Sequence, residues 1–317
     1  GEIDFVYGPL AGRDFPTSTW MKALRAVERQ RMPRLEYEDP RGNLELRRAL
    51  QKHLSQSRGL TCAVEQILIV NGSQQALDLC ARLLINPGDQ VVVENPGYRM
   101  AHHAFEAYGA RLWSAPVDAQ GLVTQRLAAA GDAKLAYVTP THQFPLGAFL
   151  PMARRRQLLD WAARHHAWII EDDYDSEFHY AGKPTACVQG LDPHERTIYV
   201  GTFTKSMFPG LRIGYMVLPT SLVAPMTVAR TLLDGHSAPI AQLTLARFIE
   251  GGHLGAHVRT MRAVYAERRD VLARLVREHL GDFLEPRVPA GGMQMPCTLI
   301  RDISELAAVD CARRAGI

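Results

Sequence analysis

The chain has 317 residues, of which 47% are hydrophobic, enough apolar material for one large core and a smaller lobe. Its 36 basic and 33 acidic residues give a formal net charge of +3 with His neutral. This small excess argues against a domain that holds nucleic acid mainly by charge, so by itself the chain is expected to bind DNA poorly.

Neither export nor membrane attachment is predicted. The sequence does not start with a basic region followed by an apolar one, and no apolar stretch approaches the roughly 20 residues needed to cross a bilayer. The five cysteines lie far apart, without a Cys-x-x-Cys pair or a His partner at metal-ligand spacing. We therefore expect reduced core thiols and a cytoplasmic protein.

From Ile67 onward, short apolar runs alternate with longer amphipathic stretches. The runs that predict strands are ILIV (67–70), QVVVE (90–94), ARLWSAPV (110–117), KLAYVTP (134–140), AWIIEDD (167–173), TIYVGTF (197–203) and RIGYMVLP (212–219). The stretches that predict helices are SQQALDLCARLL (73–84), YRMAHHAFEAY (98–108) and MARRRQLLDWAARHH (152–166). This alternation predicts an α/β fold with a mostly parallel sheet that helices cover on both faces.

After Pro219 the pattern becomes helical. Helices are predicted over Ser221–Leu233, Ile240–Glu250 and His253–Leu280, and a second lobe is expected to begin along the last of these. The stretch VPAGGMQMPCTLI (288–300) predicts a strand of that lobe, followed by a helix from about Ser304 to Ile317.

Ligands of α/β sheets bind outside the carboxyl ends of the strands, and here those ends are polar. After ILIV, Gly72 permits a tight turn, and Ser73 and Gln74 open a helix whose free N–H groups suit an anion. An ordinary Ser N-cap is the alternative explanation. After QVVVE, a turn brings Tyr98 to the same edge, where its ring can stack on a planar ligand or join the core.

After AWII comes an acidic turn with four carboxylates in five residues, namely Glu171, Asp172, Asp173 and Asp175 around Tyr174. Because crowded like charges repel, at least one of them is expected to have a cationic partner. A solvated acidic loop is one alternative. Metal binding with His142 or His179 is another, but the sequence shows neither zinc-like His spacing nor a calcium-loop pattern, so no metal is predicted.

Lys205 and Arg212 lie at the two ends of one strand–turn–strand unit. A lysine in a desolvated site can lose its proton and form a Schiff base with an aldehyde, and Thr202, Thr204 and Ser206 flank this one. Arg212 can bind a dianionic phosphate. An aldehyde, a phosphate, a ring to stack and a carboxylate for a pyridinium nitrogen together indicate pyridoxal phosphate.

Seven stretches resemble the aminotransferase-like domain of MocR/GabR-type regulators of the GntR family, which is similar to the fold-type-I, aspartate aminotransferase-like enzymes. In chain order they read DFPTSTWMKALR, YEDPRGNLELRRALQKHL, NGSQQALDL, ENPGYR, VTPTHQFPLG, EDDYDSEF and GTFTKSMFPGLRIGY. The resemblance covers nearly the whole chain, and seven motifs in the family's order are far more specific than any one of them.

The resemblance implies a fold-type-I, pyridoxal phosphate-dependent architecture and a role for each motif residue. Lys205 would form the Schiff base and move the proton, Asp172 would hold the pyridine nitrogen protonated, and Tyr174 would bond the phenolic oxygen. Tyr98 would stack on the ring. The phosphate would be surrounded by Gly72, Ser73, Gln74, Thr202 and Arg212, and by Tyr37 from the partner subunit of a homodimer.

One motif departs from the transaminase pattern. Those enzymes carry Asn-Pro-x-Gly, whose Asn bonds the phenolic oxygen, whereas this chain has Phe144-Pro145-Leu146-Gly147. An apolar ring cannot replace that amide, and the regulator subgroup shows the same substitution.

The resemblance also implies a domain division and two expectations about the chain's ends. Residues 1–30 are predicted to pack on the core, 31–252 to form the large cofactor-binding domain, and 253–317 to form the connecting helix and a partial small domain. The family's arginine for a substrate carboxylate would fall beyond Ile317, and a winged helix-turn-helix for DNA would precede Gly1.

Three hypotheses remain open at this point. The first is a regulator's effector domain that senses an amine or amino acid by aldimine exchange at Lys205, with little or no turnover. The second is a free-standing class I/II aminotransferase for an α-amino acid. The third is a non-catalytic scaffold that has lost its cofactor.

Overall fold

The computed structural model of the chain describes residues 12–31, 36–180 and 185–317. The helices in those ranges are α1 (Thr17–Arg31), α2 (Leu44–Arg58), α3 (Ser73–Leu84), α4 (Arg99–Ala107), α5 (Met152–His165), α6 (Thr220–Asp234), α7 (Pro239–Glu250), α8 (His253–Leu280) and α9 (Glu305–Arg314). The strands are β1 (Ile67–Val70), β2 (Gln90–Asn95), β3 (Arg111–Asp118), β4 (Gly121–Leu122), β5 (Leu135–Val138), β6 (Trp168–Asp173), β7 (Thr197–Thr202), β8 (Gly214–Val217), β9 (Leu284–Pro286) and β10 (Cys297–Leu299).

Eight strands form one sheet in the order β1-β8-β7-β6-β5-β2-β3-β4. The pairings from β7 through β6, β5 and β2 to β3 are parallel, which confirms the predicted mostly parallel α/β sheet. Strand β8 runs antiparallel to both of its neighbours because a short turn, instead of a crossover helix, connects it to β7. The start of β8 therefore lies beside the carboxyl ends of β1 and β7.

Strand β1 shows why the predicted strands are apolar throughout. Leu68 and Val70 pack into the cluster formed with α3, α4 and α6, whereas Ile67 and Ile69 pack into the cluster formed with α2 and α7. All four side chains are buried. Successive residues of a strand point to opposite faces, so a sheet covered on both faces needs an apolar residue at every position.

The second lobe follows α8, whose bounds match the predicted helix. Strands β9 and β10 pair antiparallel. The predicted strand over 288–300 is wrong except for Cys297–Leu299, because Gly and Pro residues interrupt ladder pairing over most of it. That stretch instead crosses the edge of the large sheet, where Gly291 forms an isolated bridge with His179.

Three of the remaining predictions can be compared with the described residues. Cys80 and Cys187 are buried free thiols as predicted, but Cys297 and Cys311 are exposed, so the core assignment is wrong for these two. No helix within the described ranges has the length and apolar character needed to cross a membrane. In the predicted N-terminal segment, residues 1–30, α1 packs against α7, whereas residues 1–11 lie outside the described residues. The domain boundaries stay a prediction.

Candidate functional site

A cavity that is partly open to solvent lies at the carboxyl edge of the sheet. Eight of the ten residues predicted for the site line it: Ser73, Gln74, Tyr98, Asp172, Tyr174, Thr202, Lys205 and Arg212. These residues lie at or just after the ends of four different strands, or in the turn that leads into β8. The strand order explains why they meet, since the carboxyl ends of β1, β7, β6 and β2 share one edge.

The four carboxylates of the acidic turn are buried, so the alternative of a solvated loop is wrong. Three of them have cationic or ionisable partners, which confirms the expected pairing. The contacts are Arg155 to Glu171 at 3.8 Å, Arg58 to Asp173 at 2.6 Å and His142 to Asp175 at 2.7 Å. The fourth carboxylate, Asp172, is the one that lines the cavity.

Only one of the two carboxylate oxygens of Asp172 has a hydrogen-bond partner among the described residues. Its Oδ2 accepts a 2.7 Å hydrogen bond from the Tyr137 hydroxyl, while its Oδ1 is buried without a hydrogen-bond partner among the described residues. Burial raises the pKa of Asp172 to about 7. A buried carboxylate oxygen of this kind is stabilised by a cation or a positively charged N–H donor in the cavity.

Lys205 follows β7 and is half-buried at the cavity wall. Burial lowers its pKa below the usual range, and the negative charge of Asp175 opposes part of that shift. A lysine with a lowered pKa is more often a neutral amine, and a neutral amine is the form that attacks a carbonyl group.

Arg212 reaches the cavity from an unusual backbone conformation. Its φ of 51° is left-handed, and its Nη2 donates a 3.0 Å hydrogen bond to the Asn71 carbonyl. Gly72 makes room for it, because a Cβ atom built on Gly72 would lie 3.1 Å from Nη2. Gly72, and not Ser73, is the N-cap of α3, so the alternative of an ordinary Ser N-cap is wrong. The guanidinium and the first N–H groups of α3 together suit an anion.

Thr202 and Gln74 complete this end of the cavity. The Thr202 Oγ1 lies 3.0 Å from the Thr204 Oγ1 and accepts a 3.2 Å hydrogen bond from the Thr204 N–H. The Gln74 Nε2 donates to the Met100 carbonyl at 3.2 Å, and its Oε1 is buried without a partner among the described residues.

Phe144 stands between the two tyrosines of the cavity wall. Its ring centroid is 5.5 Å from that of Tyr98 and 6.2 Å from that of Tyr174, both in edge-to-face geometry. The turn that carries Phe144 is held by Glu94, which accepts hydrogen bonds from the Thr139 hydroxyl at 2.6 Å and the Gln143 Nε2 at 3.2 Å. The apolar ring of Phe144 therefore stands where the resemblance predicts the Asn amide of the transaminases.

Two predictions lie away from the cavity. Tyr37 does not line it; its side chain is 96% exposed, with its ring 5.8 Å from that of His236. For the alternative of a metal site, the described part of the chain contains no group of three His, Cys, Asp or Glu residues that could hold an ion. His142 instead contacts Asp175.

Sequence reasoning missed four residues that build the site. Tyr137 and Thr139 line the cavity at the end of β5, and the strand-end rule applied to KLAYVTP would have found both. Glu94 is the last residue of the predicted strand QVVVE and was not assigned to the site. Gln294 lines the cavity from the second lobe, and no local pattern signals it.

Comparisons with known proteins agree with this geometry. The family model "Aminotransferase class I and II" matches residues 8–307. The chain is 38% identical over 309 residues to the probable rhizopine catabolism regulatory protein MocR of Rhizobium meliloti, covering 96% of this chain and 62% of that protein. It thus spans less than two thirds of the length of that regulator.

Two aminotransferases are also similar. Aromatic-amino-acid aminotransferase 1 of Thermococcus litoralis is 31% identical, over 99% of this chain and 78% of that enzyme. The crystal structure of Pyrococcus horikoshii kynurenine aminotransferase, in complex with PMP, superposes with a TM-score of 0.91 at 31% identity, covering 98% of this chain and 79% of that one. This similarity confirms the fold-type-I architecture. The chain therefore belongs to the aminotransferase class I and II family, and MocR-type transcriptional regulators are among its relatives.

Proposed function

We propose that the chain binds pyridoxal phosphate covalently at Lys205 and uses this site to sense an amine or amino acid on behalf of a transcriptional regulator. The observation that carries the proposal is the buried, unpartnered Oδ1 of Asp172, a residue that lines the same cavity as Lys205 and Arg212. A protonated ring nitrogen would supply the partner that this oxygen lacks among the described residues.

The residues present fit that cofactor. The charges of the cavity are separated, with a cation for a phosphate at Arg212 and an anion for the ring at Asp172. When bound, pyridoxal phosphate supplies an aldehyde that condenses with amines and a ring that withdraws electrons. A Cβ atom at Gly72 would crowd the guanidinium that holds the phosphate.

Each residue of the chain has a distinct task in this proposal. Lys205 would hold the aldehyde, and its lowered pKa increases the fraction of the neutral amine that such bonding needs. Asp172 keeps the ring nitrogen protonated, and Tyr137 keeps Asp172 ionised by donating to Oδ2. Tyr98 covers the ring, while Ser73, Gln74 and Thr202 join Arg212 around the phosphate.

The sensing role is supported by the chain's similarity to a regulatory protein. The R. meliloti relative is named a regulatory protein, and Phe144 occupies the position where transaminases carry an amide. In this proposal exchange of the amine at Lys205 changes the geometry of the domain, and DNA is contacted by a part of the regulator outside this chain.

Absorbance spectroscopy tests the proposal. The purified protein is expected to take up one cofactor per chain, with a visible band that disappears in Lys205→Ala, and an added amine is expected to shift the band without forming keto acid. Lys134→Ala, on the loop before β5, is the matched control and should keep the band. A protein that stays colourless would refute cofactor binding, and repeated turnover would refute the sensing role.

Aminotransferase activity is the second candidate function. The T. litoralis aminotransferase is 31% identical over 99% of this chain, and the cavity contains a lysine, a carboxylate and an arginine in the positions such chemistry uses. Multiple turnovers with an amino acid and a keto acid would favour this function over sensing.

A homodimer is the proposed assembly. Tyr37 is almost fully exposed, and α6 presents Val228 and Leu232 at 58% and 79% exposure. A second copy is the proposed partner for this surface, with Tyr37 reaching the phosphate of the partner's site.

A further inference from the structure

Asn71 lies in the bend between β1 and α3 and contacts Arg212 of the cavity wall. Its backbone carbonyl accepts the 3.0 Å hydrogen bond from Nη2 of Arg212. That bond uses one of the five N–H donors of the guanidinium, so the group can be held by Asn71 and still bind a phosphate through its other donors. The direction of the Asn71 carbonyl therefore helps to set the position of the guanidinium.

The backbone beside this carbonyl is conformationally permissive. The carbonyl belongs to the peptide group that joins Asn71 to Gly72, and Gly72 has a φ of +91°. Because glycine populates both signs of φ, this peptide group rotates more easily than one between two residues with side chains. Such a rotation would turn the carbonyl away from Arg212, so its direction has to be held by other contacts.

The other polar groups of Asn71 make three hydrogen bonds. The Asn71 N–H donates to Oε1 of Gln75 on α3 at 2.8 Å. The side-chain Nδ2 donates to Oδ2 of Asp234 at 3.0 Å, and Oδ1 accepts a 2.7 Å hydrogen bond from the Ser237 hydroxyl. Asn71 is thus attached to α3 on one side, and to the last residue of α6 and the loop after it on the other.

The partners of Asn71 are themselves held in place. Oδ2 of Asp234 also accepts a 2.8 Å hydrogen bond from Nε2 of Gln75. The buried Ser237 hydroxyl accepts a 2.9 Å hydrogen bond from Nη2 of Arg230, whose fully buried guanidinium also pairs with Asp234. A connected network with charged members is well suited to hold the Asn71 side chain in a single conformation.

We propose that Asn71 is a positioning residue for the phosphate end of the site. Its side chain, held by Asp234 and Ser237, keeps the backbone carbonyl directed at Arg212 and so places the guanidinium for the phosphate of the cofactor. This inference rests on the proposed function and adds to it a residue that is not among those lining the cavity. It implies a selective effect, because Arg212 serves only the phosphate: affinity for pyridoxal phosphate should depend on Asn71, whereas affinity for pyridoxal should not.

Titrations with pyridoxal phosphate and pyridoxal test the inference, because the second aldehyde has a hydroxyl in place of the phosphate. Both dissociation constants are measured from the absorbance change as each aldehyde binds to the ligand-free protein, and their ratio reports the contribution of the phosphate. Asn71→Ala keeps the carbonyl but removes both side-chain contacts. It is expected to reduce the ratio about tenfold, on the order of one hydrogen bond to a charged group, through weaker binding of pyridoxal phosphate alone.

Two further variants accompany this measurement. Ser237→Ala removes the hydrogen bond to Oδ1 and leaves Asp234 in place, so the ratio is expected to fall about threefold. This smaller change decides the question if Asn71→Ala does not fold. Asn86→Ala is the control, because it removes an exposed amide in the turn before β2, outside the cavity lining, and should keep the parent's ratio.

The outcomes separate this inference from the proposed function. A ratio that stays at the parent's value in Asn71→Ala and Ser237→Ala, or an equal loss of affinity for both aldehydes, overturns the positioning role of Asn71 while cofactor binding stands. A parent protein that binds neither aldehyde at Lys205 overturns the proposed function together with this inference.

Discussion

The Tyr137 hydroxyl donates a 2.7 Å hydrogen bond to Oδ2 of Asp172, across the parallel pair β5 and β6. This single donor lowers the pKa of a carboxyl group that burial raises to about 7. Tyr137 therefore influences the protonation state of Asp172, although it carries no charge itself.

Tyr137→Phe is expected to raise the pKa of Asp172 further, because the substitution removes the hydrogen bond that favours the ionised form. At pH 7.5 more of the carboxyl is then protonated and cannot hold a protonated ring nitrogen. Affinity for pyridoxal phosphate is expected to fall by about tenfold at this pH, the loss of roughly one charge-assisted hydrogen bond, and to recover partly at pH 9.

Tyr108→Phe is the control for this measurement. It removes a similar hydroxyl, which donates at 2.9 Å to Asp78 on α3, away from the cavity lining. An equal loss of affinity in both variants, or a loss in Tyr137→Phe that does not depend on pH, would contradict the role given to Tyr137.

Asp172 and Glu94 are expected to make the ligand-free protein less stable as pH rises. Burial raises the pKa of each to about 7, well above the usual value of a carboxyl in an unfolded chain. The folded protein therefore binds more protons than the unfolded chain between about pH 4 and pH 7, so the free energy of unfolding falls as pH rises through this window.

Asp172→Asn is expected to reduce that fall, with a difference from the parent on the order of 3 kcal/mol between pH 4.5 and pH 8. Urea unfolding of the ligand-free proteins at the two pH values measures it. Asp302→Asn, in the exposed turn before α9, is the control. Parallel pH profiles for parent and Asp172→Asn would show that Asp172 does not titrate in this range.

Gly72→Ala is expected to weaken phosphate binding. The residue has a φ of +91°, and the new Cβ would lie 3.1 Å from the Arg212 Nη2. Two costs result: backbone strain of about 1 kcal/mol, and displacement of the guanidinium that would hold the phosphate in the proposed function. Affinity for pyridoxal phosphate is expected to fall at least tenfold in an equilibrium titration.

Gly88→Ala separates these two costs. Gly88 has the same φ of +91°, but a Cβ atom there would meet nothing within 4 Å. The control should therefore lose similar stability and keep its cofactor affinity. Loss of affinity in both variants would mean that backbone strain alone, and not the position of Arg212, explains the effect.

Arg58→Met is expected to destabilise the protein strongly. Its guanidinium lies 2.6 Å from Asp173, and both side chains are buried. Removing one partner leaves a buried charge uncompensated, which costs roughly 3–5 kcal/mol of unfolding free energy. Arg274→Met, which breaks the exposed contact with Glu278 at 3.3 Å, should cost less than about 1 kcal/mol. Similar values in urea unfolding would contradict the importance of burial.

Mixed dimers test the proposed task of Tyr37. Tyr37→Phe homodimers are expected to bind the cofactor weakly, and Lys205→Ala homodimers should show no band. In a mixed dimer, one site combines an intact Lys205 with the partner's intact tyrosine, so half of the sites should regain full affinity. Affinity that stays as weak as in the Tyr37→Phe homodimer would show that the tyrosine acts within its own chain.

Local sequence patterns predicted the large sheet and most of the cavity. The strand-end rule suffices for Lys205, Asp172 and Tyr98, because their chemistry is displayed directly after apolar runs and parallel strands bring such ends together. The distribution of partners in the acidic turn could not be predicted, since Arg58 lies more than 100 residues before Asp173 and meets it only after folding.

The second lobe was less predictable. The stretch 288–300 is rich in apolar residues and so predicts a strand, but its glycines and prolines turn it into a crossing segment. Gln294 lines the cavity because hydrogen bonds attach its segment to the loop after β6. These bonds join residues that lie more than 100 positions apart in the sequence.

Arg269 of α8 contacts the segment that carries Gln294 to the cavity. The Arg269 Nη1 donates to the Pro289 carbonyl at 2.9 Å, and the guanidinium lies 4.8 Å from the centre of the Tyr180 ring. A helix of 28 residues is thus anchored to the same crossing segment that presents Gln294. Replacements along α8 can therefore shift the Gln294 side of the cavity wall without lining the cavity themselves.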